Sequence, residues 1–540
     1  MKIVDASLCA KLCQLFKSIW TFPLILAGLK LWLSSHLPIM ASVAGHDNLR
    51  YVIMAANFLQ SDAPYNQYAL MRQPAYPAFI VLNYFLGIPL KFSQELLYLA
   101  AGFFLAWSFF KYWRNHFVIL LFLSIYIFAP ASFQWSRQTL QECLYLPLTV
   151  FIVACLIHLV NIKEIDLTKF LKWSAILGVI LAVFWNTRPE GVTVLPSLAL
   201  GYIKCKLKHL TYSLALIIIP IFVLTNIFSF YNFIKYGIFL PTDLNSPGIK
   251  AAYASITSVS PARWKYRVSV SKETRQEIYA VSPTFRKLSV YLESEKGKVW
   301  RQASCEEAKI CDDYASGWFF WALRDAVADA GEYKSALATE SFYWKIAEEV
   351  KLACQSGKLN CKERRFSLSS FAPDIRTEYF QPFVRALVTL SINLIPCSLN
   401  LNLSSGEEDI KLRKMYYEKI TREPADFILQ RQQPMNQLKD ILIVGLCGIY
   451  KFLFPILAGL AVIGIGLAGW KREKPIAIAI ILFSFIIIRV LLFAYIDATS
   501  YPIATGCRYL RPILPLMWLG IAIGVSSLVA RLFPRLNVIR

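Results

Sequence analysis

A histidine and a carboxylate stand side by side in Gly45-His46-Asp47-Asn48, just after a long apolar run and just before a stretch of helical spacing from Leu49 to Leu59. A carboxylate there lies where a membrane meets water. It can take a proton from a hydroxyl that arrives dissolved or lipid-borne. His46 is a candidate second acid/base group, although a histidine beside an aspartate more commonly serves as its hydrogen-bonding partner. Elsewhere acids recur near guanidiniums: Arg50 and Arg72 follow Asp47, Arg137 precedes Glu142, Arg188 precedes Glu190, and Arg508 and Arg511 follow Asp497. Glu142 and Glu190 are therefore further acid/base candidates. The planar fork of arginine donates two hydrogen bonds at once to a phosphate. Several arginines with one or two carboxylates would line a pocket for a lipid phosphate. The plainer reading makes these residues interfacial anchors and structural ion pairs, and it fits Asp47 least well.

The elements that must hold these residues are apolar. Of 540 residues, 56% are hydrophobic and 17% are charged, against about half and about a quarter in a soluble domain. The net charge of +22 would suggest nucleic acid in a soluble protein, but its distribution gives another explanation. From Asp243 to Gln433 there are 28 basic and 24 acidic residues, whereas the remainder holds 29 and 11. The positive excess sits among apolar segments, and this points to membrane lipids as partners and excludes nucleic acid.

Apolar runs long enough for about 30 Å of hydrocarbon lie near 19–40, 93–110, 117–134, 141–161, 172–187, 190–203, 210–234, 441–469, 475–496 and 509–530. About ten transmembrane helices are expected. A further run, 74–90, is short and carries Pro74, Pro77, Gly87 and Pro89. If it does not cross, six basic clusters fall on one side with 17 basic and four acidic residues; if it crosses, the clusters split. Positive charge marks the cytoplasmic side, so 74–90 is expected to lie along or dip into the outer leaflet. The first apolar run reads as an uncleaved span. The expected organisation is an N-terminal transmembrane module, 1–240, with a first outer loop at 41–92. An exported, mainly helical domain covers 241–436, and a C-terminal transmembrane module covers 437–540. Both termini are then cytoplasmic, in a plasma (inner) membrane.

Cys305/Cys311 and Cys354/Cys361 are close pairs in a polar exported region, which suits disulfides; three pairings are open, and the local one is the simplest. Cys397 is left over. Residues 317–355 read as two helices broken at Gly331, with Phe320, Leu323, Val327, Phe342, Ile346 and Val350 at helical spacing. These are expected core.

Several short motifs resemble the GT-C glycosyltransferases, polytopic enzymes that use polyprenyl-phosphate sugars, as the protein mannosyltransferase and aminoarabinose transferase groups do. They are Gly45-His46-Asp47-Asn48 after the first span, Pro64-Tyr65-Asn66-Gln67, and Arg72-Gln73-Pro74-Ala75-Tyr76-Pro77. Asn186-Thr187-Arg188-Pro189-Glu190-Gly191 resembles an Arg-x-Glu-Gly element, and Arg508-Tyr509-Leu510-Arg511-Pro512 resembles the start of a late span. The resemblance covers roughly 20–240 and 440–530. It implies a GT-C fold, with Asp47 as catalytic base and Arg72 on the donor phosphate, joined by Arg188 and Arg508. The implied partners are a polyprenyl-phosphate-linked sugar and a lipid, glycan or protein acceptor of the cell envelope. Many relatives carry a second acid where this chain has Asn48, and the implied scheme requires no metal or other cofactor. The rival readings are a flippase or transporter for a lipid-linked sugar and a non-catalytic scaffold. A transporter would be expected to show charges deep in the membrane. Lys30, Lys451 and Arg489 are the basic residues within spans, and none has an acidic partner in its own span.

Overall fold

The computed structural model describes residues 19–39, 45–60, 62–162, 166–202, 207–261, 263–362, 376–399, 401, 418–423, 432–470, 476–500, 502–504 and 506–532. Helix dominates. Among the described residues no β-strand forms, and the two isolated antiparallel bridges join Val259 to Cys361 and Lys265 to Val268. Among the described residues eight helices are long and apolar enough to cross a membrane: Leu90–Trp113, Glu142–Asn161, Leu167–Trp185, His209–Tyr236, Thr377–Leu399, Pro434–Leu467, Ile478–Thr499 and Arg511–Leu532. The chain is a polytopic α-helical membrane protein.

Three of the expected spans are shorter than their apolar runs. The first run yields a 14-residue helix, Thr21–Ser34. The run 117–134 splits, because Pro130 ends the helix His116–Phe128 and opens a new one, Pro130–Trp135. Residues 190–203 form a six-residue 3-10 turn, Pro189–Val194, and an eight-residue helix, Leu195–Tyr202. At 1.5 Å per residue even the 14-residue helix reaches only about 21 Å. Residues 74–90, expected not to cross, contain the 12-residue helix Ala75–Leu86, ended by Gly87 at φ +71°. That is about 18 Å of helix.

Among the described residues there are two large apolar cores and a small third cluster of Leu33, Leu37, Phe133, Ile443 and Cys447. The first gathers the long helices around Glu142–Asn161, nearly all of whose residues are buried. Close approach there needs small residues, as is usual between membrane helices. A Cβ on Gly464 would stand 1.9 Å from the Gly524 carbonyl oxygen. The second core runs from Ile249 to Leu359 and is built on Pro247–Ser258, Lys272–Val281, Ser316–Asp329 and Ala336–Gln355. The break expected at Gly331 is present, with φ +73° in the turn between the last two helices. Phe320, Leu323, Val327, Phe342, Ile346 and Val350 are core.

One helix within the range expected for the exported domain, 241–436, packs with the membrane helices. Ala386, Leu390 and Cys397 of the helix Phe380–Leu399 are buried with the membrane helices in the first core. Asn393 donates its side-chain N–H to the Ala504 carbonyl at 2.7 Å. Arg385, Thr389, Ser391, Asn393 and Pro396 interrupt this segment's apolar run, which hid its character in the sequence. Cys305 pairs with Cys311 and Cys354 with Cys361, the local pairing. A third disulfide, Cys397–Cys507, pins the end of this helix to the loop before Arg508.

Candidate phosphate-binding site

Three distant stretches of chain converge on the Glu142 carboxylate, at the first turn of the most buried helix. Its Oε1 accepts from Arg188 Nη1 at 2.7 Å and from Arg508 Nε at 2.5 Å. Arg188 also clasps Glu190 with two bonds, from Nε and Nη2, each 2.8 Å. The local sequence makes this clasp. Arg188 is extended at φ −147°, and Pro189 then opens a tight 3-10 turn that brings Glu190 back to the same side. Gly191 lets the turn lie against the preceding helix, since a Cβ there would meet Trp185 at 3.2 Å.

Two more guanidiniums complete the cluster. Arg489 donates from Nε to the Tyr509 carbonyl at 2.6 Å, and its guanidinium carbon lies 5.3 Å from the centre of the Tyr145 ring and 4.9 Å from that of Phe493. Arg511 donates to Gln138 Oε1 and lies over Trp135. Arg188 itself is 5.6 Å from both the Tyr145 and Tyr509 rings. Glu142, Arg188, Arg489 and Arg511 are buried, whereas the side chains of Arg508 and Glu190 remain 23% and 18% exposed, so the cluster opens there. Among the described residues, Glu142 Oε2, Arg489 Nη2 and Arg511 Nε reach no hydrogen-bond partner.

Among the described residues the charge balance is uneven: Arg188, Arg489, Arg508 and Arg511 against Glu142 and Glu190. Burial opposes ionisation of Glu190, but the Arg188 guanidinium overcomes it and holds the carboxyl down at about 2. Glu190 is thus charged at neutral pH and already accepts two bonds. Glu142 is shared by two guanidiniums. Carboxylates so engaged are weak proton acceptors, and their geometry suits orienting the arginines rather than the acid/base role for which they were candidates.

Arg188 and Arg508, both singled out from the sequence, meet on Glu142. Arg72 lies with its guanidinium 4.8 Å from the ring of Trp321, a residue of the second core's edge. Its turn nonetheless reaches the Arg188 turn, because Ala75 N–H donates to the Asn186 carbonyl at 3.0 Å. His46 and Asp47 fall in the helix Gly45–Leu59, but their side chains lie outside the described residues. That helix packs on Ala75–Leu86, with Tyr51 edge-on to Tyr76 at 5.3 Å. Backbone packing therefore joins the helix of Asp47, the turn of Arg72 and the turn of Arg188. Arg489 was not recognised as a member from the sequence, whereas Arg511 was noted only as one of the arginines near an acid. The signal for Arg489 was a lone guanidinium in an otherwise apolar run. Among the described residues no group of three His, Cys, Asp or Glu side chains could hold a metal ion.

A second buried polar group adjoins the cluster. Gln94 donates to the carbonyls of Ser136 and Gln138 at 2.7 and 3.2 Å, and Glu95 accepts from Ser34 and Ser136. Lys91 donates to the Ser34 carbonyl at 2.8 Å and the Leu37 carbonyl at 2.5 Å, closing the end of the first helix. Lys30 donates to the Ser132 carbonyl at 3.3 Å. These groups satisfy one another and the backbone, as buried polar groups must.

Fold and site together define a multi-pass helical membrane protein with a buried cluster of arginines around Glu142. No protein-family profile and no curated protein matches the chain. Two solved structures of ArnT from Cupriavidus metallidurans are similar to it, one bound to undecaprenyl phosphate and one in the apo state. Each is 12% identical with a TM-score of 0.31, over 96% and 95% of this chain and 79% of theirs. A superposition that loose carries no argument, and the functional reading rests on the residues of the site.

Proposed function

We propose that the chain is a membrane glycosyltransferase. It moves a sugar from a polyprenyl-phosphate donor to a hydroxyl of a lipid, glycan or protein acceptor at the outer face of the plasma membrane. The observation that supports this most is the buried excess of guanidiniums over carboxylates around Glu142. In a sugar phosphodiester the phosphate carries one negative charge. When the bond from the anomeric carbon to the phosphate oxygen breaks, the polyprenyl phosphate leaves with a second. A site with positive charge to spare favours the leaving group more than the donor, which is the condition for acceleration. Its donors are already oriented by Glu142, Glu190 and the aromatic rings, so little reorganisation accompanies the reaction.

In this scheme Asp47 removes the proton of the acceptor hydroxyl, whose oxygen attacks the anomeric carbon from the side opposite the phosphate. The configuration inverts in one displacement and no covalent enzyme intermediate forms. General-base assistance of this kind is worth about 10²–10⁴-fold. Arg188 and Arg508, with Arg72 at the neighbouring turn, face the phosphate, and Arg489 and Arg511 add to the field behind them. Metal has no role in the scheme.

Purified protein in nanodiscs, offered a panel of labelled polyprenyl-phosphate sugars and envelope acceptors, tests the reading. The wild type transfers label and Asp47→Asn retains the fold but loses most turnover. A wild-type rate from Asp47→Asn would remove Asp47 as the base.

A further inference from the structure

Residues 65–72, the chain leading into Arg72, are gripped by the domain built on the second core. Tyr65 stacks on Tyr333 at 5.9 Å and meets Tyr236 edge-on at 5.5 Å. Buried Arg324 donates from Nη2 to the Gln67 carbonyl at 2.9 Å and to Asp243 Oδ2 at 2.8 Å. The Leu70 carbonyl accepts from Asp243 N–H at 2.9 Å and Thr242 Oγ1 at 2.8 Å. Two residues later the Arg72 guanidinium lies over Trp321. Trp321 and Arg324 are three apart on one helix, Ser316–Asp329, so both present to the same side.

We propose that this helix is a working part of the transfer site: Arg324 fixes the backbone at Gln67, and Trp321 is the positioning residue that holds the Arg72 guanidinium. The inference rests on the reading of Arg72 as a contact of the donor phosphate. A guanidinium held over an indole keeps its charge and loses rotational freedom, so the lipid phosphate meets a preset donor rather than a freely moving one. The domain built on the second core thereby acquires a role in donor use. A domain serving only to bind an acceptor would have no need to touch Arg72.

The test is a double-mutant cycle on full-length protein in nanodiscs, read as the affinity for a long-chain polyprenyl monophosphate and as thermal unfolding. Trp321→Leu is expected to weaken binding about tenfold, the scale of a partly buried cation–π contact. Trp321→Phe, which keeps a ring, restores most of the loss. In the Arg72→Ala background Trp321→Leu adds less than about twofold, because the guanidinium it held is gone. A tenfold loss from Trp321→Leu in both backgrounds would show a merely structural role and overturn the proposal. Wild-type affinity in Trp321→Leu, with Arg72→Ala impaired, overturns it while sparing the reading of Arg72. Wild-type affinity in Arg72→Ala removes both.

Discussion

The two cores bury arginines in opposite balance. In the second core Arg275, 1% exposed, meets Glu293 and Asp313, each at 2.7 Å, and the Val270 carbonyl at 3.0 Å. Arg324 meets Asp243. Carboxylates there outnumber the guanidiniums they pair with. Around Glu142 the reverse holds. Removing a charge from water costs several kcal/mol per ion unless a partner offsets it, and a structural network settles that cost within the chain. A cluster with guanidiniums in excess is suited to a ligand that brings negative charge. Stoichiometry, more than burial, separates a scaffold network from a binding site.

That contrast can be broken first at Arg275. Arg275→Met strands Asp313, which is fully buried, and Glu293, so the second core should lose about 3–5 kcal/mol. Thermal unfolding in nanodiscs reads this, and an unchanged midpoint would show that the network is not structural. Arg489→Met is the converse. It removes a positive charge from a site that has too many, so stability should hold or rise by about 1 kcal/mol. Transfer should fall by about 10²-fold, the scale of losing one preorganised donor. A variant that unfolds early but turns over normally would erase the distinction between the cores.

The Cys397–Cys507 bond ties the helix Phe380–Leu399 to the residue before Arg508. Replacing both cysteines with serine should cost about 2–4 kcal/mol and reduce turnover severalfold by loosening Arg508. Peptide mass spectrometry without reduction checks the pairing. The smallest effect concerns pH. Burial opposes charging of Glu293, but its bonds from Arg275 hold its carboxyl below the ordinary value of 4.5. A depressed carboxylate contributes stability that is fully present above that ordinary value and is lost as pH falls through the folded one. The stability of the second core should therefore be flat from neutral pH down to about 4.5 and fall below it. Arg275→Met should flatten that acid limb.

What the sequence disclosed follows from locality. The Arg188–Glu190 clasp spans three residues including a proline, and both local disulfides span fewer than ten residues, so spacing pointed to them, with three cysteine pairings still open. The short helix Ala75–Leu86 was legible from its prolines and Gly87. Contacts made by folding at a distance were not. Arg508 reaches Glu142 across 366 residues and Cys507 reaches Cys397 across 110. Arg489 had no acid in its apolar run, 475–496, yet the turn after Trp185 brings Glu190 to the cluster it joins. The helix Phe380–Leu399 was obscured because Arg385, Thr389, Ser391 and Asn393 break its apolar run; Thr389 and Ser391 bond back to their own helix, and Asn393 finds the distant Ala504 carbonyl.

The central claim is that the Glu142 cluster binds a lipid phosphate, and its most direct test needs no knowledge of the sugar. Wild-type protein in nanodiscs is titrated with a long-chain polyprenyl monophosphate and with the uncharged polyprenol of the same length. The site should bind the phosphate at least about 100-fold tighter, a difference of about 2.7 kcal/mol, and Arg489→Met should erase most of that margin while leaving polyprenol binding unchanged. Equal affinity of the wild type for the two lipids would contradict the account.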